Sequence, residues 1–320
     1  MMTLKQRLKL VKKNLYSKLP DRIIYLLSIK SLLPAYCKAI KVGIENKSLP
    51  KVQFYSDEET VDLIVNKGMS LSRYGDGELS WMSGISLTSY QCYSESFSKD
   101  LRAAFGSSIP QLLIGLPIGI FDSRDCNLYA KMWWKIQRET IFRKVLPYIN
   151  INKKYANTNI TRPYIDYHSR KRSKSSFENI RRIWNKREVC IVEGRKTKLG
   201  MGNDLFNNAS SIRRIICPAF NAYEKKAEIK DAILLNCNKN DLILMALGPT
   251  ASILAVELCI EGYQVVDIGH VDIEYMWYLN HSILRDAIPG KYVNESSIKM
   301  LDDIYADDPV YVNSIITRIE

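Results

Sequence analysis

No Cys-x-x-Cys pair occurs in the sequence, and its cysteines, at 37, 92, 126, 190, 217, 237 and 259, are odd in number. That argues against a disulfide framework or a zinc site. Cys190, Cys217 and Cys259 lie in apolar runs and read as core thiols, in keeping with a reducing cytoplasm. No apolar run approaches the roughly 20 residues needed to span a bilayer. The best candidate, residues 23–29, is stopped by Lys30, and no small-residue cleavage site follows, so no signal peptide is predicted. A Walker-type loop is absent, and Gly200-Met201-Gly202 continues as Asn-Asp-Leu, which fails the dinucleotide pattern. There is no internal repeat, no low-complexity linker and no recognised DNA- or RNA-binding motif.

What is present is ordinary in bulk and unusual in placement. The 320 residues are 46% apolar and 25% charged, a composition that supports a sizeable globular core. The formal net charge is +12. Residues 1–51 hold 12 Lys and Arg against Asp21 and Glu45, and residues 162–198 hold 12 against 4 acids. Two basic patches on a mildly acidic body attract phosphates, whether of nucleic acid, lipid or nucleotide.

Residues 3–19 are predicted as a basic amphipathic helix, with Leu4, Leu8, Val11 and Leu15 on one face. A second helix is expected over 22–33, ended near Pro34. Such a pair can lie on an anionic membrane surface or pack on its own domain. From residue 56 the pattern alternates. Helices are predicted over 56–67, 126–146, 175–186, 222–237, 250–261 and 271–280. Strands are predicted over 69–74, 111–116, 160–167, 188–192, 212–217, 241–247 and 264–268. This points to an α/β, Rossmann-like fold with a mostly parallel sheet and helices on both faces. The chain divides into a basic helical segment, 1–50, and one domain, 51–320.

In such sheets ligands bind beyond the carboxyl ends of the strands. Four loops fall there: 75–78, 193–203, 248–250 and 267–274. In the first, Arg73-Tyr74-Gly75-Asp76-Gly77-Glu78 ends a strand with an arginine and two carboxylates. If extended, Asp76 and Glu78 point to one side, and two hard oxygen ligands suit Mg²⁺ or Mn²⁺ whose other ligands come from substrate phosphates. A polar turn would use the same residues. Gly248-Pro249-Thr250 opens a helix whose free N–H groups could take an anion. His270 or a neighbouring acid could deprotonate a hydroxyl, although Asp272 and Glu274 also suit a helix start. Glu193, with Arg195, Lys196 and Lys198, could meet phosphates or form a solvated loop. Asn203 could cap a helix or bind a sugar.

Taken in order, Ser72-Arg73-Tyr74-Gly75-Asp76-Gly77-Glu78, Val192-Glu193-Gly194, Gly200-Met201-Gly202-Asn203-Asp204, Gly248-Pro249-Thr250, Asp267-Ile268-Gly269-His270 with Glu274, and Gly290-Lys291-Tyr292-Val293-Asn294-Glu295 resemble the GT-D-type glycosyltransferases of bacteria. The resemblance covers about 56–295. It implies transfer of a sugar from a UDP-sugar, with Mn²⁺ or Mg²⁺ held by Asp76 and Glu78. Arg73, Gly75, Glu193, Asn203, Gly248, Pro249 and Thr250 would serve the nucleotide. His270, Glu274 and Lys291 would serve the chemistry, with Lys291 neutralising the leaving group or acting on the acceptor. The acceptor would be a glycan of a bacterial surface polysaccharide or glycoprotein. A lipid-linked acceptor would suit an enzyme that is cytoplasmic and held at the inner face of the cell membrane through residues 1–33. Other readings of the same sequence are a non-catalytic sugar-nucleotide-binding protein at a membrane and, with less support, a nucleic-acid-binding protein; no nucleic-acid partner is expected.

Overall fold

A computed structural model describes residues 19–46, 48–87 and 90–320. The helix expected over 3–19 lies, but for Leu19, outside them.

Nine parallel strands make one sheet in the order β1-β4-β3-β2-β8-β7-β5-β6-β9 among the described residues. They are β1 (Gln53–Phe54), β2 (Ser70–Arg73), β3 (Leu112–Leu116), β4 (Lys154–Asn157), β5 (Glu188–Gly194), β6 (Ser211–Cys217), β7 (Leu242–Ala246), β8 (Gln264–Asp267) and β9 (Ile315–Arg318). The helices are α1 (Asp21–Glu45), α2 (Asp57–Lys67), α3 (Asp76–Met82), α4 (Glu95–Phe105), α5 (Leu128–Gln137), α6 (Ser173–Arg181), α7 (Lys226–Asn236), α8 (Pro249–Ile260), α9 (Val271–Leu279) and α10 (Pro309–Ser314). The α/β expectation holds, and the sheet is wholly parallel.

The strands read as continuous apolar runs because they are buried on both faces. Alternate residues of one strand enter different cores. Leu242 and Leu244 join Val61, Phe177 and Trp277 from α2, α6 and α9. Ile243 and Met245 join Ile229 and Leu254 from α7 and α8. A third cluster lies where α3, α4 and α5 cover β3. Trp134 is buried there.

Three expectations need correction. The strand over 160–167 is absent. The strand beside β3 is β4, six residues earlier, and a 3-10 turn, Thr158–Thr161, follows it. The apolar residues Ile160, Tyr164 and Ile165 are buried in irregular chain instead. Helix α1 does not stop at Pro34 but runs through it. Proline removes one helical hydrogen bond, yet both halves of α1 lie along α5 and its continuation: the Tyr25 hydroxyl accepts from Tyr129 N, and Gly43 meets Lys135 and Glu139. By length and composition alone α1 is sufficient to cross a membrane, which the reading of short apolar runs did not anticipate. Leu26 and Ile44 are 62% and 80% exposed. The long helix over 126–146 is present but contains a π turn, Arg138–Phe142. Two edge strands, β1 and β9, the helices α3 and α4 and the short α10 escaped prediction.

Helix α2 shows how local chemistry sets a boundary. Ser56 Oγ accepts from Glu59 N at 3.0 Å, and Glu59 Oε2 accepts from Ser56 N at 2.7 Å, a reciprocal cap. Ser56→Ala should cost about 1 kcal/mol, read as a lower urea midpoint with an unchanged slope.

Candidate functional site

Strands β2 and β8 are neighbours at the centre of the sheet, and the chain leads from β2 to β3 on one side while β7 flanks β8 on the other. The crevice beyond their carboxyl ends is where such sheets bind ligands. All four loops singled out in the sequence lie along this edge.

Arg73 closes the crevice floor. Its Nε donates to the Asp267 carbonyl at 2.8 Å and its Nη2 to Asp267 Oδ1 at 2.8 Å. Its Nη1 donates to the Thr158 carbonyl at 3.1 Å and to Thr161 Oγ1 at 2.7 Å. The guanidinium therefore faces protein acceptors and not the open crevice. Gly269 is required beside it: φ is +41°, and a Cβ there would lie 1.8 Å from Arg73 Nη2.

Asp76 and Glu78 are not in an extended turn. They are the first and third residues of α3, where two-residue spacing separates side chains around the axis. Glu78 Oε2 accepts from Gly75 N at 2.9 Å, so one carboxylate oxygen closes the helix start. Burial pushes the Glu78 carboxyl up to about 7. Asp76 is raised by burial and then by the negative charge of Glu295, while Arg162 opposes both. Among the described residues no three acids, histidines or cysteines converge on one point. Asp76 and the remaining oxygen of Glu78 are therefore separate candidate ligands on α3, not the two arms of one preformed turn. This suits an Mg²⁺- or Mn²⁺-type ion completed by phosphate oxygens, not an all-protein cage.

Asp272 organises the second loop. It accepts from Gly200 N at 2.9 Å, from Asn203 Nδ2 at 2.7 Å and from the fully buried Lys291 ammonium. Glu193 is also fully buried, paired with Arg214 at 2.7 Å and accepting from Leu199 N at 2.7 Å. Glu193, Asn203 and Lys291 therefore hold loops against one another, Glu193 and Lys291 from fully buried positions. At the third loop, Gly248 (φ +53°) packs under Tyr90 and starts α8. Thr250 Oγ1 is buried without a partner.

The fourth loop meets a charge cluster that the spacing alone did not reveal. Arg162 makes a fork with Glu295 at 2.6 and 2.9 Å. Arg285 donates to Glu295 at 2.6 Å and pairs with Asp166. Arg162 Nε lies 3.5 Å from Glu274 Oε1, which has no hydrogen bond. Glu274 Oε2 accepts from Tyr164 N and Ile165 N at 3.1 and 3.0 Å. His270 Nε2 lies 3.5 Å from Tyr90 Oη and 3.9 Å from Glu295, while its Nδ1 is buried without a partner. Burial pushes this imidazole down to about 4, so it is neutral at pH 7. Arg162, Asp166 and Arg285 carried no role in the sequence reading. Their only signals were the basic stretch around 162 and the position of Glu295 in the last quoted motif.

Burial, opposed by Arg162, pushes the Glu274 carboxyl up to about 7. Between pH 4.5 and 7 the fold keeps a proton that the unfolded chain releases, so this contribution is full at low pH and is lost as pH rises. Glu274→Gln stays neutral. Its stability relative to the parent should climb from pH 4.5 to 7 and level off above, in paired urea titrations; a constant difference would contradict this.

Comparison with known proteins fits this geometry. The family model of the glycosyltransferase GT-D fold matches residues 71–296. Glycosyltransferase GlyD of Streptococcus pneumoniae serotype 4 (strain ATCC BAA-334 / TIGR4) is 34% identical over 286 residues, covering 88% of this chain. The chain spans 34% of that relative's length. A solved structure from Streptococcus sanguinis, described as a new glycosyltransferase, is 32% identical with a TM-score of 0.76, covering 84% of this chain and 100% of its own. Another, described as a highly conserved domain of unknown function with a distinct glycosyltransferase fold, is 33% identical with a TM-score of 0.75, covering 84% and 96%. The family match runs from within β2 to beyond α9 and takes in the whole crevice, and the chain belongs to the glycosyltransferase GT-D fold family.

Proposed function

We propose that the chain transfers a sugar from a UDP-sugar to a hydroxyl of a glycan acceptor, with Mn²⁺ or Mg²⁺ held between Asp76, Glu78 and the donor diphosphate. The observation that carries this reading is the position of Asp76. It stands at the start of α3, beyond the end of β2, with its carboxylate in the field of Glu295, Arg162 and Asp166. A bound cation would offset the negative charge that grows on the departing diphosphate.

The chain's own residues have separable parts in this reading. The start of α8 offers an anion the N–H groups of Gly248 and Thr250, since Pro249 between them has none. His270, neutral at pH 7, accepts a hydrogen bond from an acceptor hydroxyl without adding a charge to the crevice. Arg162 and Arg285 keep Glu295 ionised, its carboxyl well below the usual range despite burial. Arg73, Glu193, Asn203 and Lys291 act by positioning the loops. The apolar, largely exposed surface of α1 supports a membrane-surface location, which a lipid-linked glycan acceptor of surface polysaccharide synthesis would require.

Calorimetry with UDP, with and without Mn²⁺, tests the assignment. Mn²⁺ should raise UDP affinity in the parent. Asp76→Asn should remove at least about tenfold of that gain, equivalent to about 1.4 kcal/mol, and should abolish metal-dependent turnover while the fold survives. Tight Mn²⁺ binding in the absence of UDP, or full turnover of Asp76→Asn in EDTA, would overturn it.

A further inference from the structure

A second cavity, of about 200 Å³, opens on the same edge of the sheet, beyond the carboxyl ends of β1, β4 and β3. Its lining includes Tyr55, Asp57, Trp134, Asn159, Asp166 and Arg172. Neither the nucleotide nor the cation reading uses it.

Asn159 marks it as built to take something. The residue is 6% exposed, yet its side-chain amide makes no hydrogen bond, and its Oδ1 is fully enclosed. A buried amide left unpaired costs about 1–3 kcal/mol, so the fold retains it against its own stability. The other polar groups are fixed in place. Asp57 Oδ1 accepts from Asn157 Nδ2 at 3.0 Å, and burial pushes the Asp57 carboxyl above its ordinary range. Arg172 lies 4.4 Å over the Tyr167 ring and reaches Asp125 at 3.4 Å. Asp166 is held by Arg285.

The chemistry of this set selects a ligand class. Carboxylates accept from hydroxyl groups, the Asn159 amide N–H donates to one, and the aromatic walls of Trp134 and Tyr55 offer apolar faces. The described residues bring no three acids together at metal distance. Drug-sized ligands occupy roughly 300–1,000 Å³, so this cavity suits a single sugar ring.

Its position links it to the candidate site. Asn159 lies in the turn whose neighbours Thr158 and Thr161 hold Arg73. Asp166 lines the cavity and also stands 3.7 Å from Arg162, the partner of Glu295. We propose that the cavity is the acceptor subsite, holding one sugar ring of the acceptor through Asp57, Asn159 and Asp166. This rests on the transferase reading above, and it adds where the acceptor sits and what recognises it.

The test uses the full chain and saturation-transfer NMR with the methyl glycosides of glucose, galactose and N-acetylglucosamine at millimolar concentration. UDP binding is measured on the same samples. At least one glycoside should bind the parent. Asn159→Ala and Asp57→Asn should each weaken it about tenfold or more, with UDP affinity unchanged. Asn159→Ala removes no hydrogen bond of the fold, so a melting midpoint no lower than the parent's shows that the loss is local. Glycoside binding without UDP binding would uphold the subsite and overturn the UDP-sugar reading. Absence of binding by all three glycosides, or parent-like binding in both variants, would overturn the subsite whatever UDP does.

Discussion

The arrangement of the crevice depends on one guanidinium. Arg73, at the end of β2, ties that strand to Asp267 at the end of β8 and to the Thr158–Thr161 turn after β4. Three chain segments far apart in sequence meet at a single planar group. A buried charge of this kind is weak evidence for stability, because desolvation offsets much of the attraction. Its value is geometric: a five-donor fork accepts partners only in fixed directions. Gly269 is part of the same constraint, since the backbone must pass where a Cβ would collide with the fork.

The rest of the edge follows the same design of buried charges with fixed partners. Asp272 gathers Lys291, Asn203 and Gly200, and Glu193 gathers Arg214 and Leu199. Arg162, Arg285, Asp166, Glu274 and Glu295 form a third set beside His270. Much of the basic stretch 162–198 is therefore turned inward or paired: Arg181 to Asp204, Arg182 to Asp62 and Lys198 to Asp303. Among the described residues, the buried atoms without a partner along this edge include Nδ1 of His270, Oε1 of Glu274, Nε of Arg162, Oγ1 of Thr250 and Oδ1 of Asn159. These lie at the strand ends, where ligand groups can complete them.

Most of the central strands were legible because parallel, doubly covered strands are apolar throughout and are punctuated by glycine or proline. Residues 242–246, followed by Gly248-Pro249, are the clear case. The start of the helix at 56 was legible because a cap such as Ser56 acts within four residues. The stretch 160–167 misled because burial in irregular chain leaves the same apolar trace as a strand. Pro34 misled because helix α1 is held from outside, by α5. Arg162, Asp166 and Arg285 went unread because their meaning lies in partners that are over a hundred residues away, or on the far side of a turn.

The sequence by itself determined the alternating α/β architecture and which loops follow the carboxyl ends of the strands, the stretch at Asp76 among them. Each of these rests on local periodicity or on residues close in the chain. Only the tertiary structure decided which polar residues are free. In the sequence, Arg73, Glu193, Asn203 and Lys291 look as available to a ligand as Asp76. Folding supplies the first four with fixed partners, because hydrogen-bond satisfaction in a desolvated interior is settled by groups that only the packed sheet brings together.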